Sequence, residues 1–226
     1  MDGSGGSSGG DAPGGQMMWW PVALSAIAGA VLAWPATMVA ARHIRSEASP
    51  ISGSVVAIAG GIIGGGFGYA LGWSWLLVPF LGLVGVLIAL AMVDLAEFRL
   101  PNRILIPGGL TVMVVTAVIV ILGATGSLRD AAIGTVIYFV LMAVLFAISR
   151  GALGFGDVRL AVLLGWCTGL LGWRVTIAAI ILGSLFGGGV AVVALLRGAD
   201  RKSSIPYGPP MMLGACLAIV LTGSTF

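Results

Sequence analysis

Eight acidic residues serve a chain of 226, and three of them fall where acid chemistry could be done. Asp2 and Asp11 lie in a Gly/Ser-rich N-terminal stretch, and Glu47, Asp130 and Asp200 lie in short arginine-bearing connections where solvation is expected. Asp94, Glu97 and Asp157 remain. Asp94 closes an apolar run in ALAMVDLAEFRLPN, and Asp157 opens another in GALGFGDVRL. Each has a plain structural reading. Asp157 could cap the helix it begins, because aspartate suits a helix N-terminus and its dipole. Asp94 could pair with Arg99 or Arg103.

Taken together the two acids suggest more. Carboxylates at membrane depth are costly and mark function by default. Two close carboxyls cannot both ionise cheaply, so they share a proton over a wide pH range. The ionised member can take a proton from water, while the protonated one donates to a carbonyl oxygen and then to the leaving amine. That is peptide hydrolysis without a metal or a covalent intermediate. The same pair could instead relay protons in a proton-coupled carrier, and spacing does not separate the two uses.

The elements that position these acids are membrane helices. Only 8% of residues are charged and 59% are hydrophobic, and the mean hydropathy is strongly positive. Such a composition excludes an ordinary soluble domain. The apolar runs are continuous and do not alternate, so an all-α bundle is expected rather than a barrel. Eight spans are expected at 17–41, 54–72, 75–94, 104–123, 130–149, 158–172, 175–196 and 207–225 as one transmembrane domain over 17–226, with 1–16 as a flexible tail. Alternate loops then hold nine of the eleven basic residues, which makes those loops cytoplasmic and puts both termini outside. Trp19, Trp20, Trp73, Trp75 and Trp173 fall at the outer ends, where interfacial indoles belong. Basic residues here report orientation, so no nucleic-acid partner is expected, whereas membrane lipid is.

The sixth span is short. Fifteen residues reach only about 22 Å, less than the hydrocarbon core of about 30 Å. With Trp173 and Arg174 pinning its outer end, Asp157 would lie beneath the inner surface. Gly154 and Gly156 allow a tight turn there and a close approach by another backbone. Gly60, Gly64, Gly68 and Gly72 form a stripe that predicts close helix packing, repeated by Gly183 and Gly187. Cys167 and Cys216 have no CxxC neighbours, so no metal site is expected. His43, the one histidine, sits in a basic loop far from both acids.

The stretch Asp94 to Asn102, with Pro101-Asn102 seven residues after the acid, resembles the first aspartate motif of type IV prepilin peptidases. Gly154-Phe155-Gly156-Asp157 resembles their GxGD motif, with Arg159 where a lysine is common. Ile205-Pro206-Tyr207-Gly208-Pro209 is similar to their P-[FY]-G-P segment. The resemblance implies a multi-pass aspartic endopeptidase of the bacterial inner membrane. It would remove the basic leader of a type IV prepilin or pseudopilin after a glycine, at the cytoplasmic face. Catalysis maps to Asp94 and Asp157. Glu97, Pro101, Asn102, Gly154, Gly156, Arg159, Pro206, Gly208 and Pro209 are expected to bind substrate or shape the site. Glu97 could attract basic leader residues or simply pair with Arg99 or Arg103. Pro101 is expected to break the helix after Asp94 and to fix entry into the next. Arg159 could hold Asp157 or a lipid phosphate. Larger members carry two CxxC pairs after the first span, where this chain has ARHIRSEASPISG without cysteine. A shorter variant is therefore expected, with no cofactor. S-adenosylmethionine would enter only with a retained methylase activity, which is not expected.

Overall fold

The computed structural model describes residues 19–44, 52–149, 153–198 and 206–223. The regular elements among them are eight helices: α1 (Trp19–Ala41), α2 (Gly53–Leu71), α3 (Leu77–Glu97), α4 (Asn102–Ile121), α5 (Leu128–Ile148), α6 (Phe155–Leu170), α7 (Trp173–Leu196) and α8 (Gly208–Gly223). Six of them, α1 to α5 and α7, are long and apolar enough to cross a membrane. α6 and α8 have 16 residues each, about 24 Å at the helical rise. They therefore fall short of a full hydrocarbon core. The expected tail, 1–16, lies outside the described residues, as do Arg45, Arg150, Arg201 and Lys202 from the loops expected to be cytoplasmic.

Two helix ends differ from expectation in ways that matter for the acids. α3 does not stop at Asp94 but runs one turn further, to Glu97. It ends where Phe98 adopts a left-handed backbone, φ 53°, with its N–H on the Asp94 carbonyl. Pro101 therefore does not break α3. Instead its carbonyl starts α4, accepting the amides of Ile104 and Leu105 at 3.0 Å each. α6 begins at Phe155 rather than at 158, with extended Gly154 as its N-cap. Asp157 is thus inside the first turn and is not the cap itself.

Between apolar helices in lipid no hydrophobic force favours association, so close packing and interhelical hydrogen bonds must supply it. Gly60, Gly64 and Gly68 do this for α2. A Cβ on Gly64 would lie 2.5 Å from the Ser25 carbonyl oxygen, and one on Gly60 2.7 Å from the Ala33 methyl, both on α1. Gly72 does not belong to that stripe. It caps α2 with φ 57°, and a Cβ there would meet nothing within 4 Å. A second glycine seam joins α5 to α6, where a Cβ on Gly165 would lie 2.7 Å from the Gly134 carbonyl. Gly183 and Gly187 of α7 face Met211 and Tyr207 at the start of α8.

α3 packs on α1, α2, α4 and α8, and α6 packs on α4, α5, α7 and α8. Hence α4 and α8 bridge two buried helices. Trp166 of α6 donates its indole N–H to Thr116 of α4 at 2.9 Å, and Thr168 of α6 bonds Thr176 of α7 at 2.9 Å. These bonds fix the depth at which α6 presents Asp157. At the opposite end of the bundle Trp20 and Trp73 pack in a tilted pair with ring centres 4.6 Å apart.

Candidate active site

The last turn of α3 meets the first turn of α8, and Leu100, just beyond α3, packs against the first turns of both α6 and α8. A Cβ on Gly156 would lie 2.8 Å from the Leu100 Cβ, and one on Gly208 would lie 3.5 Å from its Cδ2. Leu100 thus fills the space that two glycines leave open. It is the apolar residue in the otherwise polar turn RLPN, which is the signal that could have singled it out.

Asp94 is only 4% exposed. Its Oδ2 accepts the Gly208 N–H at 3.2 Å. Pro209 and Pro210 follow in the first turn of α8 and have no N–H to offer. Gly208 is therefore the natural donor at that helix start. It also has no side chain in the way, since a Cβ there would stand 2.8 Å from the same Oδ2. Pro206 and Pro209, both half-buried, flank this donor.

Asp157 is 8% exposed, and its Oδ2 accepts the Gly154 N–H at 3.3 Å. This is one half of a capping arrangement, in which the third residue of a helix reaches back to the amide before its first turn. Two carboxylates from separate helices thus lie at one end of the bundle, both buried, with Leu100 packed beside the turns that hold each of them.

The neighbouring residues divide into those that join this cluster and those that do not. Glu97 forms an ion pair with Arg99 at 3.2 Å. Arg159 does not pair with Asp157. Its Nη1 donates to Asn102 Oδ1, and its guanidinium lies over the Phe155 ring, 4.6 Å from the centroid. Asn102 and Arg159 thereby tie the start of α4 to the start of α6. Beside them runs an apolar groove of about 350 Å3 between α4 and α6, lined by Leu105, Gly109, Met113, Arg159 and Leu163. His43 is remote, with Nδ1 on the Val39 carbonyl at 2.8 Å. Cys167 and Cys216 are buried free thiols.

Residues 81–192 match the type IV leader peptidase family. The chain belongs to that family. The matched segment of this leader-peptidase relative contains both carboxylates and leaves Gly208 outside it. The chain is 30% identical over 173 residues to the prepilin leader peptidase/N-methyltransferase of Stutzerimonas stutzeri, covering 74% of this chain and 57% of that protein. It is 32% identical over 161 residues to the protein of the same name from Aeromonas hydrophila, covering 67% and 51%. For the Bacillus subtilis (strain 168) protein of that name the figures are 28% over 152 residues, covering 67% and 58%. The chain thus spans a little over half the length of these relatives. No solved structure matches it.

Proposed function

We propose that this chain is a membrane-embedded aspartic endopeptidase that removes the basic leader of a type IV prepilin or pseudopilin. One observation carries the reading: two buried carboxylates, from α3 and α6, share one end of the bundle, where Leu100 packs on both the Gly156 turn that carries Asp157 and the Gly208 amide that holds Asp94. Membership in a leader peptidase family supports the choice of hydrolysis over proton transport. One carboxylate, ionised, takes a proton from the attacking water. The other, protonated, polarises the scissile carbonyl and then protonates the amine that departs. The residues that hold these oxygens are backbone amides on helix starts, which fix the carboxylates without neutralising them.

In this reading Asp94 and Asp157 face the cytoplasm in the bacterial inner membrane, with both termini on the other side. A basic leader followed by an apolar helix would then place its cut site at the depth of both acids. Glu97, Pro101, Asn102, Gly154, Gly156, Arg159, Pro206, Gly208 and Pro209 shape the site and do not react. No cofactor takes part in the cleavage.

The test is cleavage of a prepilin by membranes containing Asp94→Asn or Asp157→Asn, read by mass spectrometry of the new N-terminus. Each variant is expected to insert normally and to leave the leader attached. Normal processing by either one would defeat the reading.

A further inference from the structure

Tyr138 lies in the middle of α5 and is fully buried, with 0% exposure. Its hydroxyl has no hydrogen-bond partner among the described residues. That is costly, because a buried O–H without a partner loses its hydration and gains nothing in return. Phenylalanine would fill the same volume without the cost. Packing therefore does not account for the oxygen, and an orphaned buried polar group calls for another explanation.

Its position supplies one. The hydroxyl lies 3.6 Å from where a Cβ on Gly183 of α7 would stand, and that same point is 3.3 Å from the Met211 Cα. Met211 is in the first turn of α8, one turn below Gly208, whose amide holds Asp94. The Tyr207 ring packs on Gly187 of α7, one turn further along the same face. α5 and α6 run antiparallel along a seam where Gly134 meets Gly165 and Ala131 meets Gly169, so Tyr138, one turn past Gly134, lies one turn below the level of Asp157, two turns before Gly165. The hydroxyl thus sits inside the ring of α5, α7 and α8, just beneath the carboxylates. The other orphaned hydroxyl, that of Ser74, lies at the opposite end of α3.

We propose that Tyr138 is a positioning residue for the carboxylate site, its O–H donating to the Asp157 carboxylate, directly or through one water, when substrate is engaged. The donated bond orients Asp157 and holds its oxygen toward the reacting water. In a site screened from bulk solvent such a bond to a carboxylate is stronger than one at a surface. The inference rests on the peptidase reading above.

The experiment uses the full chain in detergent or nanodiscs with a prepilin substrate. Tyr138→Phe removes one oxygen and no packing. It is expected to lower kcat roughly 10- to 100-fold, the range for losing a hydrogen bond to a charged group. KM should stay unchanged, and the melting temperature should be equal to or above that of the parent. A purely structural hydroxyl would lower the melting temperature and leave kcat alone. That result, or a wild-type kcat, would overturn the proposal. Asp94→Asn and Asp157→Asn run in parallel keep the two readings apart. If they are inactive while Tyr138→Phe is fully active, the positioning role alone is lost. If they cleave normally, the peptidase reading itself fails.

Discussion

Asp157 is held by its own turn, whereas Asp94 is held by a helix that begins 114 residues later. The reason is where each acid sits along its helix. The first turn of a helix exposes amide donors, and the last exposes carbonyl acceptors. Asp157 lies in the first turn of α6 and finds the Gly154 amide at hand. Asp94 lies near the end of α3, where nearby backbone groups are acceptors and the macrodipole opposes an anion. A buried carboxylate there must borrow a donor from elsewhere. It borrows from the start of α8, where dipole and amide both suit it. One half of the site is thus built locally, and the other exists only once α8 has docked on α3.

This contrast can be broken or sharpened by substitution. The largest effect is expected from Asp94→Asn and Asp157→Asn, each lowering cleavage by at least about a thousandfold, within the range for losing an acid–base group. If one of them retained activity, the two halves would not be equivalent in chemistry. Next come the glycines that let the halves touch. Gly208→Ala puts a methyl on the Asp94 carboxylate oxygen and should displace it, costing roughly 10- to 100-fold in kcat/KM. Gly156→Ala meets the Cβ of Leu100, which is not the free end of a side chain, so the turn itself must move. A similar loss in kcat/KM is expected, with a lower melting temperature as well. Gly154→Ala is the counter-case within the same motif. Its φ is −76° and its Cβ would meet Asp157 Oδ2 at an ordinary 3.4 Å, so activity should stay within about twofold. A large loss at Gly154 would mean that the local half is as exacting as the long-range one. The smallest effect belongs to Glu97→Gln. The pair with Arg99 is half exposed on the arginine side, and such pairs contribute about 0–1 kcal/mol. Thermal melting should barely shift.

Much of this was legible in order of residues. The apolar runs anticipate all eight helices, because in lipid a chain must satisfy its backbone within each segment, and length and hydropathy then follow. The shortness of the sixth span was legible too, and α6 is 16 residues long. The glycine stripe on α2 was readable from its spacing up to Gly68, while Gly72 kept the spacing but serves as a cap. Pairing was less readable. Glu97 takes one of the arginines close to it in sequence, but Arg159 takes Asn102, 57 residues away, together with the Phe155 ring. Tyr138 carries no motif of its own, and Leu100 has only its place as the aliphatic residue of the RLPN turn. What distinguishes them is the space around them.

By itself the sequence determined that this chain is a helical membrane protein, which two acids are candidates for chemistry, and that the sixth helix is short. These follow from hydrophobicity, charge cost and local backbone rules, which act over a few residues. Only the tertiary structure decided that the Gly208 amide reaches Asp94, that Leu100 locks α6 and α8 onto α3, and that the Tyr138 hydroxyl lies beneath the pair. Those contacts depend on how closely helices distant in sequence approach one another. That distance is set by the shapes of whole faces, which no local pattern encodes.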